Sequence, residues 1–230
     1  LPPVTSTTPA MDHSVARKSS AVYLGRRSFV YSRRVMSQAP RRRNAAATRQ
    51  AILASARRAF ARAGYNGVGV REIAAGAGVT AMLVNRYFGS KANLFAEVAA
   101  DAMREPVILS PENLAAPDLP AALARALVQV TEPGAPPLDG FLILLHSASS
   151  PQAAEIGREW VSRGHQATLE GMIAGDLTRE RAAVFLSLVA GLQVMRQMMA
   201  IPALAEARPQ DLEGILTPLI RALLESPPNH

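Results

Sequence analysis

The 230-residue sequence predicts an all-α protein: a basic tail, a small helical front and a larger helical back. Three observations carry this. Apolar residues recur at three- and four-residue spacing in one segment after another from Thr48 onward. No stretch shows the strict alternation of a half-buried strand. Glycine, proline and capping residues fall where helices would stop and start. Apolar residues make up 49% of the chain and charged residues 19%, which excludes wholesale disorder. Cysteine is absent, so disulfides, thiolate metal sites and cysteine nucleophiles are removed together, and a reducing, cytoplasmic compartment fits. No apolar run approaches the roughly 18 residues that span a bilayer, so no membrane partner is expected.

Residues 1–44 carry Arg26-Arg27, Arg33-Arg34 and Arg41-Arg42-Arg43 among serines, threonines and prolines, without an amphipathic period. They read as a disordered tail. An arm adding phosphate contacts and an organelle transit peptide compete with a passive tail; a secretory signal fails for want of an apolar centre. Leu1 is not methionine, whereas Met36 stands just ahead of the first periodic segment. An over-extended reading frame with a true start near residue 36 is therefore a further expectation.

The front, residues 45–104, opens with a helix from Thr48, with Ile52, Ala56, Ala59, Phe60 and Ala63 on one side and Gly64 closing it. Val70 to Ala77 reads as a short second helix with Ile73 and Ala74 inward. Gly78 supplies a turn, Thr80 an N-cap, and Ala81 to Phe88 a third helix stopped by Gly89. Ser90 caps a fourth helix running to about Met103, with Leu94, Phe95 and Val98 on one side. Two short helices joined by a glycine turn, the second about the length of a major-groove reader, form a helix-turn-helix between Val70 and Phe88.

Charge is distributed to match. Residues 1–47 carry +8, residues 48–104 carry +5 and residues 105–230 carry −6. A basic front and an acidic back are expected when one end meets a polyanion.

The string TRQAILASARRAFARAGYNGVGVREIAAGAGVTAMLVNRYFGSKANLFAEV, residues 48–98, resembles the DNA-binding domain of the tetracycline-repressor (TetR) family of bacterial transcriptional regulators. The resemblance lies in AF-ARAGY, REIA, AGVT, RYF and SK-NLF. It departs at Gly69, where serine or threonine is usual, and at Val84-Asn85, where many members carry a tyrosine. It implies that Arg71, Thr80, Ala81, Met82, Leu83 and Asn85 face DNA, with Arg86, Tyr87 and Lys91 near phosphates. The chemistry agrees. Asn85 can pair with both edge groups of adenine, an arginine with those of guanine, and Ala81 or Met82 can pack on a thymine methyl. Lys91 begins a helix, where backbone amides attract an oxyanion.

The back, residues 105–230, shows periodic segments at Pro120–Val130, Leu138–Ser149, Pro151–Ala174, Thr178–Ala200 and Pro209–Leu224, with proline-rich linkers over 106–120 and 132–137. The end of the chain from Ala190 resembles one TetR subgroup, which implies that the last two helices pair with their mates in a four-helix bundle. Ala183, Ser187 and Gly191 are small enough for close contact, and Leu216, Leu219 and Leu223 flank them; an intramolecular core is the competing reading. Phe141, Leu145, Trp160, Met172, Phe185, Met195 and Met199 offer soft apolar surface for an effector pocket, with ordinary core packing the alternative for each.

Catalysis has no visible apparatus. His13, His146, His165 and His230 form no paired ligand spacing, and there is no GxSxG elbow or Walker lysine. No catalytic or metal residue and no cofactor is expected, with His146 read as a satisfied core histidine. The resulting expectation is a homodimeric repressor that reads an inverted-repeat operator on double-stranded DNA. A small, largely apolar effector releases it by binding better to the non-binding conformation. A non-specific architectural DNA binder using the arginine-rich tail is the alternative.

Overall fold

A computed structural model of the chain describes residues 39–225, with Met103 and Glu105 excepted. The readings of residues 1–38 lie outside the described residues. Helix α1 (Ala39–Ala63) starts well before the cap assigned to Thr48. Alanines and arginines, strong helix formers, carry the helix backward past the end of its apolar stripe, so residues 39–44 are helix rather than tail. Thr48 lies inside the helix and donates its hydroxyl to the Asn44 carbonyl at 2.7 Å. Gly64 ends α1 in the left-handed region, at φ +66°.

Helices α2 (Val70–Gly76) and α3 (Ala81–Phe88) are joined through Gly78, and α4 (Lys91–Ala102) follows. Thr80 Oγ1 accepts the Leu83 amide at 3.3 Å, and Ser90 Oγ accepts that of Asn93 at 3.1 Å. Each hydroxyl satisfies an orphan donor of its helix start.

The back half contains α5 (Pro111–Leu114), α6 (Leu119–Val130), α7 (Asp139–Ser147), α8 (Pro151–Val161), α9 (Ala167–Glu170), α10 (Thr178–Leu192), α11 (Pro202–Ala205) and α12 (Pro209–Leu224). No strand occurs among the described residues. Two corrections follow. The stretch 106–120 is not simply a linker, because Ser110 caps the short α5 and Asp118 caps α6. The segments expected as Pro151–Ala174 and Thr178–Ala200 are not single α-helices. Each widens into a π segment, Ser162–Gln166 and Gln193–Met198, and the first stops at Glu170.

Two cores result. The first gathers Ile52, Phe60, Ile73, Val84, Phe88, Leu94, Phe95 and Val98, and also takes Ile143 from α7 and Ala153 from α8. Phe95 meets Phe60 and Tyr65 edge-on at 5.1 and 5.2 Å between ring centres. The helix-turn-helix thus rests on side chains from beyond residue 105. The second core holds Leu123, Leu127, Leu169, Phe185, Leu212, Leu216 and Ile220. Arg196 is buried beside it, donating to the carbonyls of Val128 at 2.6 Å and Leu204 at 3.1 Å and to Thr131 Oγ1 at 3.1 Å. Its guanidinium therefore caps the carbonyl end of α6.

Candidate nucleic-acid interface

Helix α3 presents a divided surface. Val84 and Phe88, one turn apart, are buried in the first core, and Ala81, Leu83 and Tyr87 are half-buried. Thr80, Met82, Asn85 and Arg86 are exposed, Met82 at 79%. An exposed apolar side chain stands on this face beside an exposed amide, two groups able to meet base edges, and beside a guanidinium able to meet a phosphate. Arg71 is exposed on α2, while its neighbour Glu72 is engaged by Arg62.

Lys91 behaves differently from a free surface lysine. Its Nζ stands 4.4 Å above the Tyr65 ring, and desolvation holds its pKa below the ordinary lysine value. Tyr65 is itself fixed: its hydroxyl bonds to Gln152 Oε1 at 2.8 Å, and its amide donates to Ser147 Oγ at 2.9 Å. Arg49, on α1, is paired with Glu97 of α4 and lies 5.0 Å from the Phe88 ring centre. The ammonium and this guanidinium each rest on an aromatic ring, Arg49 on that of Phe88 in α3 and Lys91 on that of Tyr65.

His146 is exposed, and its Nδ1 lies 2.7 Å from the Ala61 carbonyl oxygen. It joins α7 to α1 at the surface and is not the core histidine expected. No group of three or more His, Asp or Glu side chains suited to a metal occurs among the described residues. Among those residues no helix is long and apolar enough to cross a membrane.

Behind the head lies a cavity of about 720 Å³, walled by the end of α4, residues 106–109, the start of α7, the first π segment and α10. Phe141 and Phe185 line it; Leu145, Trp160, Met172, Met195 and Met199 do not. Leu145, Trp160, Met195 and Met199 are exposed instead. Counting 3.6 residues per turn from Phe185 brings Met199 back near the same face, and the π segment breaks that count. Ala183 and Ser187, read as dimer contacts, line the cavity, and Leu216 is buried in the second core with Leu223 packed against it. Ala183, Ser187, Gly191 and Leu219 of that set are exposed, as are Val184, Met195 and Ile215.

Sequence periodicity also missed cavity residues. His165 and Gln166 come from the first π segment and Gln193 from the second. Polar residues inside an apparently continuous helix gave no sign of facing inward.

Residues 52–98 match the family described as bacterial regulatory proteins, tetR family, and residues 118–224 the family described as tetracyclin repressor-like, C-terminal domain. A solved transcriptional regulator from Rhodococcus sp. Rha1 is 25% identical, with 76% of this chain and 95% of that one covered and a TM-score of 0.55. NalD, the secondary repressor of the MexAB-OprM multidrug efflux pump in Pseudomonas aeruginosa, is similar in fold at 23% identity, covering 77% and 96%, with a TM-score of 0.53. A TetR-family regulator from Streptomyces coelicolor A3 is similar at 23% identity, covering 78% and 95%, with a TM-score of 0.50. Among curated proteins, none matches the chain.

Proposed function

We propose that this chain, which belongs to the tetracycline-repressor (TetR) family of bacterial transcriptional regulators, is a homodimeric repressor that reads an inverted-repeat operator and releases it when a small apolar effector enters the cavity. The observation that carries the reading is the surface of α3. Val84 and Phe88 anchor the helix while Met82, Asn85 and Arg86 face outward. Arg71, Thr80, Ala81, Met82, Leu83 and Asn85 form the base-facing set, with Arg86, Tyr87 and Lys91 at the phosphates. Thr80 serves through its hydroxyl as the cap that fixes the helix start.

The effector reading draws support from the cavity wall. Arg57, on α1, reaches Asp139 of α7 at 2.8 Å and Asp101 of α4 at 3.7 Å. A ligand that moves α4 or α7 acts on the helix under the DNA-reading head. The dimer reading draws support from the apolar face of α10 and α12, which pack on one another and leave Val184, Met195, Ile215 and Leu219 exposed.

A footprint on DNA upstream of the protein's own gene tests this. The protected region should be an inverted repeat with half-sites roughly 34 to 36 Å apart, or a multiple of that. Protection without two-fold symmetry contradicts the homodimeric reader.

A further inference from the structure

The cavity's polar groups are nearly all engaged with one another. Arg57 is paired with Asp139 and Asp101, and Arg104 lies 3.5 Å from Asp101. Gln166 donates to Glu170 at 2.9 Å, and Ser187 to the Ala183 carbonyl at 2.9 Å. Two further arginines lie outside this lining and have partners of their own. Arg196 is held by backbone carbonyls and Arg163 by Glu159. Two cations and two carboxylates on the wall balance, so the cavity offers no uncompensated charge.

Two polar lining side chains have no hydrogen-bond partner among the described residues, His165 and Gln193, and of the two only Gln193 has an unpartnered polar atom closed to solvent. The Gln193 residue is only 2% exposed and lines the cavity, and its Oε1 is closed to solvent with no hydrogen-bond partner among the described residues. A buried amide left unpaired costs free energy that a bound partner restores. The terminal amide torsion is soft, so rotation about it can bring the oxygen to the cavity. Most of the remaining lining is apolar, with Val107, Ile108, Leu138, Phe141, Leu144 and Phe185 among it.

We infer that the cavity takes a neutral, largely apolar, drug-sized molecule ending in one hydrogen-bond donor, a hydroxyl or amide N–H, seated on the Gln193 amide. The volume suits such a ligand. This rests on reading the cavity as the effector site, and it names the effector's chemistry. The amide enters from a π segment, a kind of irregularity frequent at functional sites.

The test uses the full chain and decyl probes differing at the head: 1-decanol, methyl decanoate, decanoate and decylammonium, each below its micelle-forming concentration. Trp160 is the single tryptophan and lines a smaller hollow that shares Arg104 and His165 with the cavity, so its fluorescence reports occupancy. 1-Decanol should bind about tenfold tighter than the other three. Gln193→Met should abolish that advantage over methyl decanoate and raise the melting temperature of the ligand-free protein, because no hydrogen bond is broken. Gln193→Glu should move the preference to decylammonium. Tightest binding by decanoate or decylammonium to the unmodified protein, an unchanged alcohol-to-ester ratio in Gln193→Met, a lowered melting temperature, or no saturable binding by any probe overturns the inference. Operator release is measured separately. If 1-decanol binds as described and the operator complex persists, the ligand assignment stands and the effector reading falls.

Discussion

At Gly64 two requirements meet. The backbone is left-handed there, and a Cβ would stand 2.1 Å from the His146 carbonyl oxygen. Gly64→Ala should therefore cost about 2 to 4 kcal/mol in denaturant unfolding, from backbone strain and displacement of α7 together. The sequence marked this glycine as a helix end; the close approach of α7 was invisible, because it depends on contact across more than eighty residues of chain. His165 is a residue-scale case with a sign. Desolvation lowers its pKa in the folded protein, so the unfolded chain binds the proton more readily. Stability should fall as pH drops below the ordinary histidine value near 6.5, levelling at the lower folded value, and His165→Gln should remove that part of the slope in thermal melts.

Helices α1 to α4 were legible because one face of each packs on a continuous core, so Ile52, Phe60, Ile73, Leu94, Phe95 and Val98 all point where a 3.6-residue period puts them. Beyond residue 162 legibility fails at the two π segments, whose wider turns shift every later side chain around the axis. The cavity assignments of Met195 and Met199 failed there. Arg196, buried there, ties the π segment to α6 and to Leu204, a link that helical spacing does not signal. Arg196→Met should cost about 2 to 4 kcal/mol, since it strands the Val128 and Leu204 carbonyls. Gly191 is exposed on α10 with nothing within 4 Å of an added Cβ. Gly191→Trp should leave far-UV circular dichroism unchanged and weaken self-association in sedimentation experiments. Unaltered association would remove α10 from the interface.

For the whole molecule the charge asymmetry and the divided surface of α3 point to one act, binding a polyanion by the front. The front was recognisable from its motifs, whereas its dependence on Ile143 and Ala153 was not, since those residues look like ordinary apolar positions of distant helices. That shared core gives the back half a mechanical grip on the reader. Whether α3 reads bases while its flanks hold phosphates is tested most directly by fluorescence-anisotropy titrations across a salt series, on operator and on shuffled duplex. Asn85→Ala should cost about 1 to 3 kcal/mol per half-site on the operator and little on shuffled DNA. Lys91→Ala should weaken both duplexes alike and reduce the salt slope by about one for each phosphate that the lysine neutralises. If both substitutions lower affinity equally on operator and shuffled sequence, α3 reads no bases, and the division of labour between the helix and its flanks is wrong.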